Sequence, residues 1–326
     1  MNFTAANQTD SCLQYTCPER SVSTVIYVLL YVSLAAVVLL TVCGNLLIII
    51  SVCHFKQLHT PANMLILSLA VSDCLIGALV MPTSLLQMIE SCWMFRRAFC
   101  ACYLLTAYFL TSVSIYNVAL IAVDRYFALF NPFLYTKAVS LSRMCIVVLC
   151  DWVVSLSYNL TLQYFHLNSL SGAVCSRGCF LVLNEVLSLV DLLLTFIFPC
   201  AVIITLYTLV FVIAKKHATA IRDLNRTQTS KKVSISKKSE RKAAKVLGIL
   251  VFVFLTCLFP YFVYCVLGVM IKVEEETFTK LLILLYLNST INPVIYALFY
   301  PWFKKCVKLI VSLQIFNTDS ALINVL

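Results

Sequence analysis

The stretch from Val25 to Cys53 reads VIYVLLYVSLAAVVLLTVCGNLLIIISVC and contains no charged side chain. About 20 consecutive apolar residues are enough for an α-helix to cross the hydrocarbon core of a bilayer. Because lipid offers no water to backbone N–H and C=O groups, a segment in that core satisfies them within its own helix. We therefore expect this stretch to be a membrane-spanning helix.

Six further segments meet the same length and apolarity requirement. An average soluble protein is about 25% charged, whereas this chain of 326 residues is 12% charged and 62% hydrophobic. An ordinary soluble domain is thereby excluded, and the composition predicts an all-α membrane protein with a seven-transmembrane-helix bundle. In chain order the seven spans are Val25–Cys53, Met64–Met88, Phe99–Ala122, Met144–Leu162, Val186–Ala214, Val246–Ile271 and Leu281–Phe299.

A short eighth helix follows the seventh span. Between Trp302 and Leu313, apolar side chains recur on one helical face and lysines occupy the others, which is typical of an amphipathic helix at a membrane interface. The apolar face comprises Phe303, Val307, Ile310 and Val311, and the lysines are Lys304, Lys305 and Lys308.

The basic residues predict the orientation of the bundle. The net charge is +10, and Lys and Arg near span ends stay on the cytoplasmic side. With residues 1–24 as an extracellular tail, most of the positive charge falls in one cytoplasmic loop, 215–245, so nucleic-acid binding is not expected. The expected units are the tail 1–24, the transmembrane domain 25–300, and the amphipathic helix with its cytoplasmic tail, 301–326.

The extracellular side is also the oxidising side. Disulfides form there, and this orientation places six cysteines on it: Cys12, Cys17, Cys92, Cys100, Cys175 and Cys179. Spacing alone leaves their pairing open. The tail carries glycosylation sequons at Asn2 and Asn7.

Several motifs fall at consistent depths in the spans. Together, in this order, they resemble those of the rhodopsin-like G-protein-coupled receptors over nearly the whole chain. The motifs are Gly44-Asn45, Leu69-Ala70-Val71-Ser72-Asp73, Asp124-Arg125-Tyr126, Trp152, Pro199 with Tyr207, Phe254 with Pro260, and Asn292-Pro293-Val294-Ile295-Tyr296.

The segment from Asn288 to Phe303 carries a narrower resemblance. It reads NSTINPVIYALFYPWF and matches the fingerprint of trace amine-associated receptors at every specified position. That resemblance implies a receptor, not an enzyme, which detects amines in the plasma membrane of olfactory sensory neurons. It also implies coupling to a heterotrimeric G protein, a stimulatory one that raises cyclic AMP.

Two disulfides are implied by the resemblance. The first joins Cys100, at the outer end of the third span, to Cys179 in the second extracellular loop. The second joins the N-terminal tail to the same loop, as Cys17 with Cys175, with Cys12 as the competitor for the tail position.

Acidic residues within spans are rare and costly, and each suggests a function. The three are Asp73, Asp151 and Asp191. Asp191 lies eight residues before Pro199, at the depth of an outer cavity, and no Lys or Arg occupies a neighbouring span interior. A ligand ammonium is the missing cation that we expect. The alternative is a neutral Asp191 that bonds to a carbonyl or to a Tyr, Ser or Thr of another helix.

The third span lacks the usual ammonium anchor. Most amine receptors carry an Asp 18 residues before the Arg of Asp-Arg-Tyr, a position held here by Ala107. A group of fish trace amine receptors is similar in lacking that Asp and carrying one at the position of Asp191. The resemblance therefore implies an amine whose charged end points toward the fifth span.

Aromatic and hydroxyl side chains would complete such a site, because a cation gains about 0.5–2 kcal/mol over an aromatic face. For each of them, ordinary helix packing is the alternative. The expected ligand-binding residues besides Asp191 and Ala107 are Tyr103, Tyr108, Thr111, Tyr261, Phe262 and Tyr286.

Asp73 has a different expected role. By resemblance it would bind an allosteric sodium ion with Asn45, Ser114 and Asn292, a set of oxygen ligands that suits a hard cation. A protonated, hydrogen-bonded Asp73 is the alternative, and no other cofactor is expected.

The resemblance also implies an activation switch at the cytoplasmic end. Arg125, beside Asp124, would pair with Glu240 to join the inner ends of the third and sixth helices, and Tyr207 and Tyr296 would support the active arrangement. The usual Trp two residues before Pro260 is Leu258 here. Phe254 and Phe259 are expected to share its role, and the alternative is that ligand contacts with Tyr261 and Phe262 act on the helix directly. The loop 215–245 would contact a G protein or anionic lipid headgroups.

Other receptor and membrane-protein classes give competing hypotheses. A receptor for a neutral lipid or odorant would leave Asp191 structural. A retinal photoreceptor would need Lys at the position of Tyr286, and a transporter would show internal repeats with broken helices.

Overall fold

The computed structural model describes residues 23–90, 93, 95, 97–169, 179, 181, 183–225, 248–249, 251–264, 275–317 and 320–325. Throughout this part of the chain the regular elements are helices. Six of them are long and apolar enough to cross a membrane, and a shorter apolar helix, Val251–Tyr264, lies within the predicted sixth span. This arrangement agrees with the predicted bundle of membrane-spanning helices.

The bounds of the helices differ from the predicted spans mainly at their ends. The first span is Thr24–His54, the second Pro61–Glu90, the third Arg97–Phe130, the fourth Leu141–Ser169 and the seventh Glu275–Phe299. The fifth continues as the helix Phe198–Asn225, so the first residues of the predicted loop 215–245 are helical. Short helices Pro132–Ala138 and Pro301–Val311 follow the third and seventh spans.

Capping residues fix several of these starting points. Thr60 accepts a hydrogen bond from the backbone of Asn63 directly before Pro61, and Asn184 accepts one from Leu187 at 2.8 Å. Such caps satisfy N–H groups that a helix start leaves unpaired, and proline suits the first helical position because it has no N–H. Apolar periodicity alone does not show these ends, which explains the shifts from the predicted bounds.

The interior of the bundle holds polar side chains among its apolar core, while the outside is covered mainly by apolar side chains. Asn45, Ser72, Asp73 and Asn117 have no exposed surface. In contrast, only 6% of the most apolar stretch of the first span is buried. Lipid solvates the outer residues, and the interior holds the groups that require hydrogen-bond partners.

Two spans contain a π-helical turn that the sequence did not predict. One is Ile76–Val80 in the second span, and the other is Leu193–Ile197 in the fifth, between the helices Glu185–Leu192 and Phe198–Asn225. The hydroxyl of Tyr116 donates to the carbonyl of Leu194 at 2.7 Å. A π-turn weakens the regular backbone ladder, and the third span supplies a partner here.

The helix Pro301–Val311 packs against the end of the first span near His54. Its buried residues are Trp302, Phe303 and Cys306. Of the predicted apolar face, Phe303 is therefore buried, whereas Val311 is 72% exposed. Burial raises the pKa of the Cys306 thiol to about 11. That thiol is therefore neutral at physiological pH and inaccessible.

Candidate ligand cavity and its surroundings

A cavity of about 500 Å³ lies between the third, fifth, sixth and seventh spans. Its volume falls within the usual range for small-molecule sites, about 300–1,000 Å³. Seven of the eight residues expected to bind a ligand line its wall: Ala107, Tyr108, Thr111, Asp191, Tyr261, Phe262 and Tyr286.

Asp191 presents its carboxylate to this cavity. One oxygen, Oδ1, accepts a hydrogen bond from the hydroxyl of Tyr158 on the fourth span at 2.9 Å. Within the described residues, Oδ2 has no hydrogen-bond partner and no Lys or Arg forms an ion pair with the group. A carboxylate offers about four lone-pair sites, so Asp191 retains capacity for a cationic donor.

The fold of the fifth span positions this carboxylate. The Asn184 cap starts the helix, and the π-turn at Leu193–Ile197 begins two residues after Asp191. The hydroxyl of Thr195 donates to the backbone carbonyl of Asp191 at 2.7 Å, which supports the helix where it enters the π-turn. Such turns are frequent at functional sites because they re-aim side chains within a helix.

Aromatic side chains of the sixth span pack tightly against the fifth span. Phe262 stacks on Phe196 with ring centroids 3.8 Å apart and an interplanar angle of 9°. Tyr261 meets Phe262 edge to face at 5.1 Å. This cluster joins the π-turn of the fifth span directly to the sixth span.

Tyr103 does not line the cavity, although the sequence placed it with the ligand-binding residues. It is 7% exposed, packs against Trp93 with ring centroids 5.4 Å apart, and lies beside Ser84 and Tyr286. Tyr286 therefore stands between Tyr103 and the cavity. Depth along a helix was predictable, but rotation about its axis was not.

Ala107 contributes only a methyl group to the wall. Among the described lining residues, the acidic side chains are Asp191 and Glu185, and both belong to the fifth span. Any cationic group within the cavity is consequently drawn toward the fifth span rather than the third.

A disulfide joins Cys100 of the third span to Cys179, with Cα atoms 5.7 Å apart. Cys179 is 3% exposed, and the neighbouring Leu181 and Leu183 line the cavity. The bond thereby fixes part of the extracellular loop over the site, as the resemblance implied. The second expected pair, Cys17 with Cys175, and the sequons at Asn2 and Asn7 lie outside the described residues.

A second polar site surrounds the fully buried Asp73. Its Oδ1 accepts hydrogen bonds from Ser289 at 2.8 Å and Ser114 at 3.3 Å, and its Oδ2 accepts one from Asn292 at 2.7 Å. Asn45 does not reach it.

The amide of Asn45 instead donates to the backbone carbonyls of Thr41 and Ser289, at 2.9 and 3.0 Å. Its own side-chain oxygen is buried without a partner among the described residues. The carboxylate oxygens of Asp73 and the hydroxyl oxygens of Ser114 and Ser289 suit a hard cation such as sodium. No cluster of three or more His, Cys, Asp or Glu side chains occurs in the described ranges.

Comparison with known proteins identifies the family. A family model for the 7 transmembrane receptor (rhodopsin family) matches residues 44–296. The chain is 39% identical over 330 residues to trace amine-associated receptor 13c of Danio rerio, covering 99% of this chain and 95% of that protein. It is 40% identical over 311 residues to trace amine-associated receptor 8b of Mus musculus, covering 90% and 89%. The chain belongs to the trace amine-associated receptors.

A human member of the family also matches nearly the whole chain. Trace amine-associated receptor 1 of Homo sapiens is 34% identical over 322 residues, covering 95% of each chain. The protein is therefore a multi-pass membrane receptor of the rhodopsin family and not an enzyme.

In this receptor, the carboxylate of Asp124 accepts hydrogen bonds from two side chains, those of Arg125 and Tyr135. Arg125 forms an ion pair with Oδ2, its Nε donating at 2.9 Å, while the hydroxyl of Tyr135 donates to Oδ1 at 2.7 Å. The expected partner Glu240 lies outside the described residues. Asp124 thus restrains Arg125 from within its own span, and the helix Pro132–Ala138 adds a second restraint.

Of the remaining switch residues, Phe254 and Tyr296 are buried in the bundle interior and Tyr207 is half-buried. Phe254, Leu258 and Tyr296 are each no more than 2% exposed. Leu258 fills the position of the usual Trp without a ring that could rotate. Phe254, one turn earlier, and the Phe196–Phe262 stack are the aromatic groups that connect this region of the receptor to its cavity.

Sequence reasoning missed three contacting residues: Tyr158, Ser289 and Tyr135. A signal existed for the first, because Asp151, Ser155 and Asn159 follow one another at four-residue spacing on the fourth span. Such spacing marks one helix face, and Tyr158 borders it. A polar face on a lipid-spanning helix predicts contact with another span, although it does not identify Asp191 as the partner.

Proposed function

We propose that this receptor binds small organic amines and that the ligand ammonium pairs with Asp191. The observation that carries the proposal is the cavity-facing carboxylate of Asp191, whose described partner is the neutral hydroxyl of Tyr158. The relatives named as trace amine-associated receptors support an amine ligand. Tyr108, Tyr261 and Tyr286 offer aromatic faces along the same wall.

The charge of the cavity supports the same ligand class. Leaving an ionised carboxylate in a low-dielectric interior without a cation costs several kcal/mol. An ammonium offsets that cost and donates a charge-assisted hydrogen bond, a type stronger than a neutral one. Since Ala107 leaves no acidic group on the third span, the charged end of the amine lies at the fifth span. The resemblance to the fish group that lacks the third-span Asp implies the same ligand orientation.

Signalling follows from a population shift between two arrangements of the spans, in which the amine binds the active arrangement more tightly. An ammonium at Asp191 pulls on the segment beside the π-turn, and the Phe196–Phe262 stack carries the displacement to the sixth span. The partner is a heterotrimeric G protein of the stimulatory class, cyclic AMP rises, and anionic lipids contact the loop 215–245. The receptor resides in the plasma membrane of olfactory sensory neurons with its N-terminus outside, and its tail carries sugars at Asn2 and Asn7.

A sodium ion acts as an allosteric partner of this receptor. The oxygens of Asp73, Ser114 and Ser289 would hold it, and sodium would favour the arrangement in which these side chains converge. Asn292 donates to Asp73 through its amide nitrogen in the structure, so it positions the carboxylate.

A cyclic-AMP reporter assay in transfected cells tests the amine proposal. At pH 7 aliphatic amines are protonated, as the Lys side chain is with a pKa of about 10.4. A panel of mono- and diamines is applied to the wild type, to Asp191→Asn and Asp191→Ala, and to Asp151→Asn as the control. Asp151 is the matched control because it lies in a neighbouring span but does not line the cavity.

We expect Asp191→Asn to weaken amine potency by about 10-fold to 150-fold, the equivalent of about 1.5–3 kcal/mol for a hydrogen bond to a charged group. Asp151→Asn should retain wild-type potency at equal surface expression. If Asp191→Asn and Asp191→Ala respond to amines as the wild type does, Asp191 is structural. Activation by neutral odorants or lipids in that case would favour the competing function.

A further inference from the structure

A second, smaller cavity lies beside the ligand cavity. It has a volume of about 120 Å³ and sits between the first, second and seventh spans. Apart from Ser33 and Tyr286, its lining is apolar and includes Leu30, Leu34, Met81, Leu85, Ile283 and Leu287. We call it the side cavity. A space of this composition favours an aliphatic group over a polar one.

Tyr286 is the wall that separates the two cavities. It lines both of them and is 4% exposed. Its side chain lies beside that of Tyr103, which in turn lies beside Ser84. These contacts join the seventh span to the third and second and pack the ring as a partition.

The polarity of the ligand cavity changes along its length toward this partition. The fifth-span side carries Asp191, Ser188 and Thr195, whereas Leu282 and Leu285 of the seventh span accompany Tyr286. A ligand whose ammonium pairs with Asp191 therefore directs its apolar end toward Tyr286. An aliphatic chain that is longer than the cavity reaches the partition first.

We propose that the side cavity is a subsite for the end of a long aliphatic chain, and that Tyr286 turns aside to admit it. The receptor would then accept long-chain aliphatic amines as well as short ones, with Tyr286 setting the chain length at which the second space is used. The proposal rests on the proposed function, because it takes the ammonium at Asp191 as its starting point. Each methylene buried in the side cavity raises affinity about fourfold, the equivalent of about 0.8 kcal/mol.

The test compares straight-chain primary amines from butylamine to dodecylamine in the cyclic-AMP assay. Leu34→Trp fills the side cavity from the first span without touching the ligand cavity. The matched control is Leu39→Trp on the same span, where the side chain is 61% exposed to lipid and lines neither cavity. Surface expression is measured for every variant, and Leu34→Phe replaces Leu34→Trp if the larger residue prevents expression.

The expected result is that filling the side cavity lowers the potency of long amines and leaves that of short amines unchanged. Short amines should be equally potent on the wild type, the filled variant and the control. Beyond a certain length, the filled variant should lose at least tenfold in potency while Leu39→Trp does not. Tyr286→Phe removes the hydroxyl from the side chain that packs beside Tyr103, so it should raise the potency of long amines relative to short ones.

Other outcomes overturn the proposal in distinguishable ways. If filling the side cavity shifts all amines equally or none at all, while Asp191→Asn still weakens amine potency, the subsite is wrong and the amine function stands. If no amine of any length activates the wild type, the amine function fails and the subsite fails with it.

Discussion

Asp73 is a fully buried acidic residue whose carboxylate is surrounded by hydrogen-bond donors. Its two oxygens accept three hydrogen bonds, from Ser289, Ser114 and Asn292. Hydrogen bonds to the charged form favour ionisation, whereas complete burial opposes it. A sodium ion that shares these oxygens would offset the burial of the carboxylate, and any ligand that favours a different arrangement of the seventh span would compete with it.

This reasoning gives a prediction at the scale of one residue. Replacing extracellular sodium with choline at constant ionic strength should raise amine potency in the wild type by about fivefold, a coupling within the usual range for allosteric pairs. Asp73→Asn should abolish that sensitivity because the amide carries no negative charge. Asp151→Asn, measured alongside, should keep it. A sodium effect that survives in Asp73→Asn would place the ion elsewhere or remove it from the mechanism.

Single residues also show what the sequence can predict about a site. The depth of Asp191 was predictable because intramembrane carboxylates are few and a helix advances by a fixed rise. Its hydrogen bond to Tyr158 was not predictable, because contact between spans depends on how each helix is rotated and tilted. The same limit explains why Tyr103 lies behind Tyr286 and why the backbone partners of the Asn45 amide were not foreseen.

At the scale of elements, the packing of the first span on the seventh depends on a close approach at Gly44. A Cβ atom built on Gly44 would lie 2.8 Å from Cβ of Pro293. Small residues permit such approaches between membrane helices. Gly248, in contrast, has no atom of the described residues within 4 Å of the same position.

The two glycines make a matched pair of substitutions. Gly44→Ala should destabilise the receptor by about 1–3 kcal/mol through overpacking and lower its thermal unfolding midpoint in detergent by at least about 2 °C. Gly248→Ala should leave that midpoint unchanged or raise it slightly, because alanine is the better helix former. Equal midpoints for the two variants would contradict the close packing of the first and seventh spans.

The elements differ in how far the sequence determines them. Long apolar runs predicted the spans because a bilayer allows such runs few alternatives to a helix. The π-turns at Ile76–Val80 and Leu193–Ile197 were missed because their residues are ordinary apolar ones. Tertiary contacts such as that of Tyr116 with Leu194 stabilise the second of them. The local sequence pattern does not predict such contacts.

At the scale of the whole molecule, ligand binding at one end must alter a restraint at the other. The cytoplasmic restraint is the carboxylate of Asp124, which holds Arg125 and accepts a hydrogen bond from Tyr135. Burial and the hydrogen bond to Asp124 raise the pKa of Tyr135. Its hydroxyl therefore stays protonated at every physiological pH and remains a donor, so this restraint does not change with pH in that range.

Removing the Tyr135 hydroxyl should raise the activity of the receptor in the absence of ligand. Tyr135→Phe deletes one hydrogen bond of the inactive arrangement, worth about 0.5–1.5 kcal/mol, and should raise the ratio of active to inactive receptor by about 2-fold to 10-fold. Basal cyclic AMP, normalised to surface expression, measures that ratio. Tyr164→Phe is the control, since Tyr164 is 63% exposed near the outer end of the fourth span. Unchanged basal activity in Tyr135→Phe would mean that Asp124 holds Arg125 equally well alone, and that the helix Pro132–Ala138 has no part in the resting state.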